Sequence, residues 1–122
     1  MTSPSTGIVL FAHGSRDPLW RAPIEAVAAR VAALSPATPV RCAYLELTEP
    51  DLPSVARELA ALGVHAIRVL PMFLGTGKHA REDLPVLMAQ LHAEHPGVRF
   101  DLRAAVGEDA RLLDLIARIA LD

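Results

Sequence analysis

The sequence predicts an α/β protein, a three-layer α/β/α sandwich built on a four-stranded parallel sheet. Short apolar runs alternate along the chain with longer segments whose apolar residues recur at helical spacing. The first and third runs are almost continuously apolar, as expected for central parallel strands covered on both faces. Right-handed crossovers then favour the doubly wound strand order 2-1-3-4, which places the topological switch point between the first and third strands.

The four predicted strands are short apolar runs in which β-branched residues are common. Their ranges are residues 8–12, 40–45, 66–70 and 98–102. We expect all four to run parallel, because each is followed by a segment with a helical pattern.

The first helix follows the first strand and carries its apolar residues on one face. Asp17 and Pro18 form a plausible cap and first-turn pair, but Pro23 would break a helix that started there. We therefore expect either a kink or a true start near Arg21 or Ala22. The residues of the apolar face are Ile24, Val27, Ala28, Val31 and Leu34.

The second helix has clear signals at both ends. Asp51 is the predicted N-cap, Pro53 lies in the first turn and Gly63 ends the helix. The third helix is predicted over residues 80–95 and is ended by Pro96 and Gly97. The residues expected to face inward from the second helix are Leu52, Val55, Leu59 and Leu62.

The fourth helix is predicted over residues 108–121. We expect it to bury Leu112, Leu115, Ile116 and Ile119, which recur at helical spacing. All 122 residues then form a single domain, 1–122, in which residues 1–7, rich in Ser, Thr and Pro, are expected to be flexible.

Composition excludes several classes of function. The formal net charge is −2 and aromatic residues make up 4% of the chain, so neither a basic field nor a set of stacking platforms is present for nucleic acid. A single cysteine, Cys42, allows no intrachain disulfide. No signal peptide or bilayer-spanning run is visible, so we expect a cytoplasmic protein that does not bind membranes.

Two histidines lie beyond predicted strand ends. His13 directly follows the first strand, and His79 follows the third strand after the loop Gly75-Thr76-Gly77-Lys78. Ligands of open parallel sheets bind at the carboxyl ends of the strands, near the switch point. Because imidazole binds metals and exchanges protons near neutral pH, this placement indicates an enzyme site.

Charged residues near the same edge extend this candidate site. Glu46 ends the second strand and is predicted either to act as a ligand or proton acceptor, or to form a salt bridge or helix cap. Arg16, Lys78 and Arg81 either attract a carboxylate-bearing ligand or are ordinary surface charges. Two imidazoles and one carboxylate would leave a metal with open coordination positions, which suits a site that binds a metal and then releases it.

Several short motifs together resemble the small class II tetrapyrrole chelatases, the CbiX/SirB-like family. The resemblance covers nearly the whole chain, and the motifs occur in the family's order and spacing. They are AHGSR at residues 12–16, Leu45-Glu46 with Pro50-Asp51 downstream, LPMFL at 70–74, GKH at 77–79, DLP at 83–85 and GED at 107–109.

The resemblance implies a chelatase-like fold and insertion of a divalent metal into sirohydrochlorin, for cobalamin or sirohaem biosynthesis. Cobalt or iron, and also nickel, is then a substrate, and no permanent cofactor is implied. His13 and His79 match the catalytic pair, and Glu46 matches a family glutamate. Longer members of the family carry two such halves in one chain, so the length of this chain, which corresponds to one half, implies a symmetric homodimer. We expect the substrate site to include Ser15, Arg16, Gly75, Thr76, Gly77, Lys78 and Arg81.

Three other functions stay open. One is a purely structural or interaction role, in which the last helix mediates assembly through Leu112, Leu113, Leu115 and Ile116. A non-catalytic carrier of metal or tetrapyrrole would have the same pocket but show no turnover. Histidine phosphatases also place a histidine after the first strand, but with an arginine immediately before it. Here Ala12 holds that position and Arg16 follows the histidine, which counts against phosphoryl transfer.

Overall fold

The computed structural model describes residues 5–122, which form a parallel sheet with helices on both faces. The sheet has four strands in the order β2-β1-β3-β4, so the predicted fold class and strand order are confirmed. The strands are β1 (Thr6–Ala12), β2 (Val40–Tyr44), β3 (Ala66–Pro71) and β4 (Arg99–Leu102).

β1 lies at the centre of the sheet and pairs in parallel with both β2 and β3. Leu10 is opposite Cys42 on one side and Leu70 on the other. The strand begins at Thr6, which pairs with Ala66, and so starts two residues earlier than predicted. Of the segment expected to be flexible, residues 1–4 lie outside the described residues.

The helices are α1 (Ala22–Leu34), α2 (Leu52–Ala61), α3 (Lys78–Glu94) and α4 (Ala110–Leu121), with a 3₁₀ turn at Val106–Glu108 before α4. α1 starts at Ala22 and places Pro23 in its first turn, where the missing N–H costs no hydrogen bond. α2 is capped as predicted, because the Asp51 carboxylate accepts a hydrogen bond from the Ser54 N–H at 2.9 Å.

The hydrophobic core lies between the sheet and the α2–α3 layer. Alternate residues of β1 and β3 point into it, as the two-residue period of a strand requires. The prediction that Leu62 faces inward is wrong: Leu62 is 45% exposed, because it is the C-cap residue of α2, beyond the last turn. Fully buried members of this core include Val9, Phe11, Leu52, Val55, Leu59, Ile67, Val69 and Leu91.

The opposite layer, formed by α1 and α4, is loosely packed. Neither helix has a buried residue, and a cavity of about 770 Å³ lies between them over Ile8, Leu10 and Leu70 of the sheet. α4 makes its main contacts with the 3₁₀ turn, and its apolar side chains are not packed against the strands. The prediction of burial is therefore wrong for all four of its residues, Leu112, Leu115, Ile116 and Ile119.

Within residues 5–122, no helix combines the length and the apolarity needed to cross a bilayer.

Candidate functional site

The ends of β1 and β2 bring two of the predicted site residues together. His13 directly follows β1, and Glu46 follows β2 by two residues. His13 Nε2 lies 2.9 Å from Glu46 Oε1, and both side chains are more than half exposed. The imidazole and the carboxylate therefore lie at ion-pair distance, and the pair is ionic when His13 is protonated.

The backbones of the two residues are joined as well. The Glu46 N–H donates to the His13 carbonyl at 3.0 Å, and the Leu45 N–H donates to the Ala12 carbonyl at 2.9 Å. These bonds extend the β1–β2 ladder past the strand ends. Because these backbone bonds place Glu46 beside His13, the register of β1 and β2 brings the two side chains together.

Gly14 allows this close approach. Its φ is 107°, a backbone conformation that residues with a side chain rarely adopt. A Cβ built on Gly14 would lie 1.8 Å from the Glu46 carbonyl oxygen. Any other residue would push the two chain segments apart. Gly14 is therefore required by the geometry of the His13–Glu46 pair.

A tight turn fixes Glu46 from its other side. Leu47 has a φ of 66°, and the Thr48 N–H donates to the Glu46 carbonyl at 2.8 Å. The left-handed conformation costs about 1 kcal/mol for a residue with a side chain. The surrounding hydrogen bonds hold the turn in place against this cost.

His79 does not complete a metal-binding cluster with the other two residues. Among residues 5–122, no group of three or more His, Cys, Asp or Glu side chains has the geometry to hold a metal ion. The predicted trio of metal ligands, His13, His79 and Glu46, is thus not preassembled. α3 begins at Lys78, two residues earlier than predicted, so His79 is exposed on the first helical turn and not on the loop.

The loop before α3 is open on one side and supported on the other. An added Cβ at Gly75 or Gly77 would meet no atom within 4 Å. By contrast, the Gly107 N–H donates to the Phe73 carbonyl at 2.9 Å, and a Cβ on Gly107 would lie 1.7 Å from the Leu74 carbonyl oxygen. The GED motif therefore supports the base of the loop that leads to His79.

The other predicted substrate contacts have different local roles. The Ser15 hydroxyl accepts a hydrogen bond from the Asp17 N–H at 3.1 Å and so stabilises the turn after His13. Nζ of Lys78 lies 4.0 Å from Oε1 of Glu82, one turn further along α3. Arg16 and Arg81 are exposed, and neither forms an ion pair with a carboxylate in the described part of the chain.

An aromatic pair lies beside the Glu46 end of β2 and was not predicted as part of the site. The rings of Trp20 and Tyr44 are 6.3 Å apart, and Tyr44 is two residues before Glu46. Burial, with smaller effects of Cys42 and Glu25, raises the pKa of Tyr44 to about 12. The phenol is therefore protonated at neutral pH and cannot serve as a base.

Arg103 was also missed. It directly follows β4, and together with Thr76, Arg81 and Glu108 it lines a cavity of about 240 Å³ at the carboxyl edge of the sheet. No motif marks Arg103 in the sequence. Its position one residue past a strand end was the available signal.

Comparison with known sequences finds a family match and named relatives. Residues 7–121 match the CbiX family. A sirohydrochlorin cobaltochelatase of Methanothermobacter thermautotrophicus is 34% identical over 85 residues, which cover 70% of this chain and 59% of the relative. One of Methanopyrus kandleri is 35% identical over 81 residues, covering 66% of this chain and 57% of the relative. The aligned segment thus spans less than two thirds of these relatives' length.

Solved structures share the fold. A CbiX protein of Marinobacter aquaeolei VT8, described as a cobalamin (vitamin B12) biosynthesis protein, superposes with a TM-score of 0.82 at 34% identity, covering 94% of this chain and 93% of that one. The sirohydrochlorin chelatase SirB from Bacillus subtilis subspecies spizizenii, in complex with cobalt, has a TM-score of 0.81 at 24% identity. That match covers 97% of this chain but 50% of SirB.

Proposed function

Because this chain belongs to the CbiX family, we propose that it inserts a divalent metal ion into sirohydrochlorin. The observation that carries the proposal is the His13–Glu46 pair at the carboxyl edge of the sheet, on the same edge as the loop leading to His79. The relatives named sirohydrochlorin cobaltochelatase make cobalt the first metal to test, followed by iron and nickel.

The reaction needs two kinds of help from the protein. Two pyrrole N–H protons must leave the macrocycle, and the metal must exchange its water for ring nitrogens. A neutral imidazole can bind the incoming ion or accept a proton, but one nitrogen cannot do both at once. Glu46 lies 2.9 Å from Nε2 of His13, so its negative charge favours a proton or a metal ion held by the imidazole.

His79 is the second histidine that the proposal assigns to metal transfer and proton acceptance. Its imidazole is exposed on the first turn of α3, so it can approach a macrocycle that lies over the sheet edge. We assign metal transfer and proton acceptance to His13 and His79 jointly, with Glu46 assisting. The open arrangement favours release, because a site with fewer than three protein ligands holds a metal weakly until the ring nitrogens bind it.

Three cationic side chains follow the strands at this edge of the sheet. Arg16, Lys78 and Arg81 are exposed, and their charges attract the carboxylates that sirohydrochlorin carries. Ser15 shapes the turn beside His13, while the Gly75-Thr76-Gly77 loop leaves space over the site. These residues form the proposed substrate-binding surface.

We also propose that the active form is a homodimer. The apolar side of α4 is solvent-exposed, with Leu113 at 49%, Leu115 at 53% and Ile119 at 66%, and α1 has no buried residue. A second copy of the chain would cover this layer.

The deciding experiment follows the absorbance of sirohydrochlorin under anaerobic conditions with Co²⁺, Fe²⁺ or Ni²⁺. Native protein, His79→Ala and a blank without protein are compared, and His92→Ala is the matched control, because His92 is an exposed histidine late in the same helix. We expect native protein and His92→Ala to give the metal-bound spectrum, with a rate about 100-fold lower for His79→Ala.

Absence of acceleration over the blank with all three metals would refute the proposal. A spectral shift that saturates at one macrocycle per site, without turnover, would instead identify a carrier.

A further inference from the structure

Two arginines from distant parts of the chain line the same small cavity. Arg81 lies in the first turn of α3, and Arg103 directly follows β4. The cavity has a volume of about 240 Å³ and lies at the carboxyl edge of the sheet, where its walls also include the apolar residues Leu84, Pro85 and Leu102. Both arginines are exposed, so an anion can reach the guanidinium groups from solvent.

The charges in this cavity are not balanced. Neither Arg81 nor Arg103 has a carboxylate oxygen within 4.0 Å among the described residues. The one carboxylate that lines the cavity belongs to Glu108, whose Oε2 accepts a hydrogen bond from the Ala105 N–H at 3.2 Å and so caps the 3₁₀ turn. Two guanidinium groups are thus available to a ligand.

The cavity adjoins the proposed catalytic edge. Thr76 is part of its lining and precedes His79 by three residues. A ligand held in the cavity is therefore close to the start of α3. Guanidinium groups bind carboxylates through two parallel N–H···O bonds, which fix orientation as well as provide binding energy.

From this arrangement we infer that Arg103, together with Arg81, binds a carboxylate arm of the macrocyclic substrate and sets its orientation over the sheet edge. The inference rests on the proposed function and adds to it a specificity-determining residue, Arg103. A free small carboxylate offers the same chemistry, so the test includes acetate as a competitor.

The test measures binding separately from turnover. Metal-free sirohydrochlorin is titrated by absorbance into native protein, Arg103→Gln and Arg81→Gln, and the kinetics of cobalt insertion are then recorded. Arg99→Gln is the matched control, because Arg99 is also on the β4 segment but is paired with Asp101 at 3.3 Å and does not line the cavity. Thermal unfolding of each variant establishes that it is folded.

We expect Arg103→Gln to raise the Kd for sirohydrochlorin about 10-fold, the size of effect typical of one charge-assisted contact, with the change appearing in KM more than in kcat. Arg99→Gln should bind like native protein. A methyl-esterified macrocycle should bind native protein and Arg103→Gln equally, and acetate at millimolar concentration should not displace sirohydrochlorin.

Native-like binding of sirohydrochlorin by folded Arg103→Gln would overturn the inference, whatever the rate of metal insertion. Displacement by acetate at millimolar concentration would overturn it in favour of a general small-carboxylate site. If Arg103→Gln fails to fold, Arg103→Lys replaces it, and an unchanged Kd in that variant excludes a two-point contact. If native protein binds the macrocycle without inserting metal, the proposed function is refuted. The comparison of Kd between native protein and Arg103→Gln would still test whether Arg103 binds the macrocycle.

Discussion

The imidazole of His13 and the carboxylate of Glu46 meet at 2.9 Å, and the backbones of the same two residues are joined by a 3.0 Å hydrogen bond from the Glu46 N–H to the His13 carbonyl. The side-chain contact is therefore built on an extension of the β1–β2 ladder. His79 has no such link to either residue among the described contacts, and the site divides into a fixed pair and a separate histidine.

Removing the Glu46 carboxylate should weaken metal insertion. We expect Glu46→Ala to lower kcat about 10- to 100-fold, the range typical when the partner of a metal-binding histidine is lost. Glu46→Gln should lower kcat less than Glu46→Ala does, because its amide keeps a polar group of the same size beside the His13 imidazole. Initial rates of cobalt insertion measure both variants, and Glu58→Ala, in which an exposed glutamate paired with Arg41 is lost, is the control. Equal rates for Glu46→Ala and native protein would remove Glu46 from the site.

Gly14 should not tolerate a side chain. Gly14→Ala places a Cβ against the Glu46 carbonyl at a backbone φ of 107°, so we expect it to lower the free energy of unfolding by about 1–3 kcal/mol. A Cβ at Gly75 would have no atom within 4 Å, so Gly75→Ala should change the free energy of unfolding by less than about 0.5 kcal/mol. Urea unfolding compares the two. A native-like midpoint for Gly14→Ala would show that the segments after β1 and β2 separate easily.

Acid should weaken the cap of α2. Hydrogen bonding to Ser54, through its side chain and then its backbone N–H, holds the pKa of Asp51 below its ordinary value of 3.8. Because the folded pKa is lower than the unfolded one, the stabilisation is fully present above about pH 4 to 5 and is lost as pH falls through the folded pKa.

The corresponding variant is Asp51→Ala, which should lower the free energy of unfolding by about 1 kcal/mol at pH 7. Its stability should also fall less steeply than that of native protein below pH 4. Urea unfolding at pH 7, 5 and 3 tests this, and a constant difference between the two proteins across that range would contradict it.

A charge on the apolar side of α4 should disrupt the proposed dimer. Ile119 is 66% exposed, so Ile119→Asp should leave each chain folded while shifting sedimentation toward the monomer. Val86→Asp, on the outer surface of α3 at 58% exposure, is the control and should sediment like native protein. A native protein that sediments as a monomer at all concentrations would rule out the homodimer.

Much of the fold was predictable because it depends on local patterns. The continuous apolar character of β1 and β3 marked them as central strands, and crossover handedness then left few arrangements of the sheet. The cap at Asp51 and the start of α1 beside Pro23 were predictable for the same reason, since each depends on a few neighbouring residues. The family resemblance is likewise carried by short motifs.

The positions of His79, Leu62 and the α4 side chains were decided by tertiary structure. The N-terminal boundary of α3 differs from the prediction by two residues, which is enough to move His79 from the loop onto the helix. Helical spacing identifies the apolar stripe of α4 but does not reveal what covers it, and the sheet leaves this stripe exposed.

By itself, the sequence determined the strand order, the caps and the placement of His13 and Glu46 at one edge of the sheet, because each depends on periodicity or on neighbours along the chain. Only the tertiary structure decided that His13 and Glu46 pair, that His79 stays apart and that Arg81 and Arg103 share a cavity. Side chains distant in sequence meet through strand register and loop packing, and no local pattern encodes those distances.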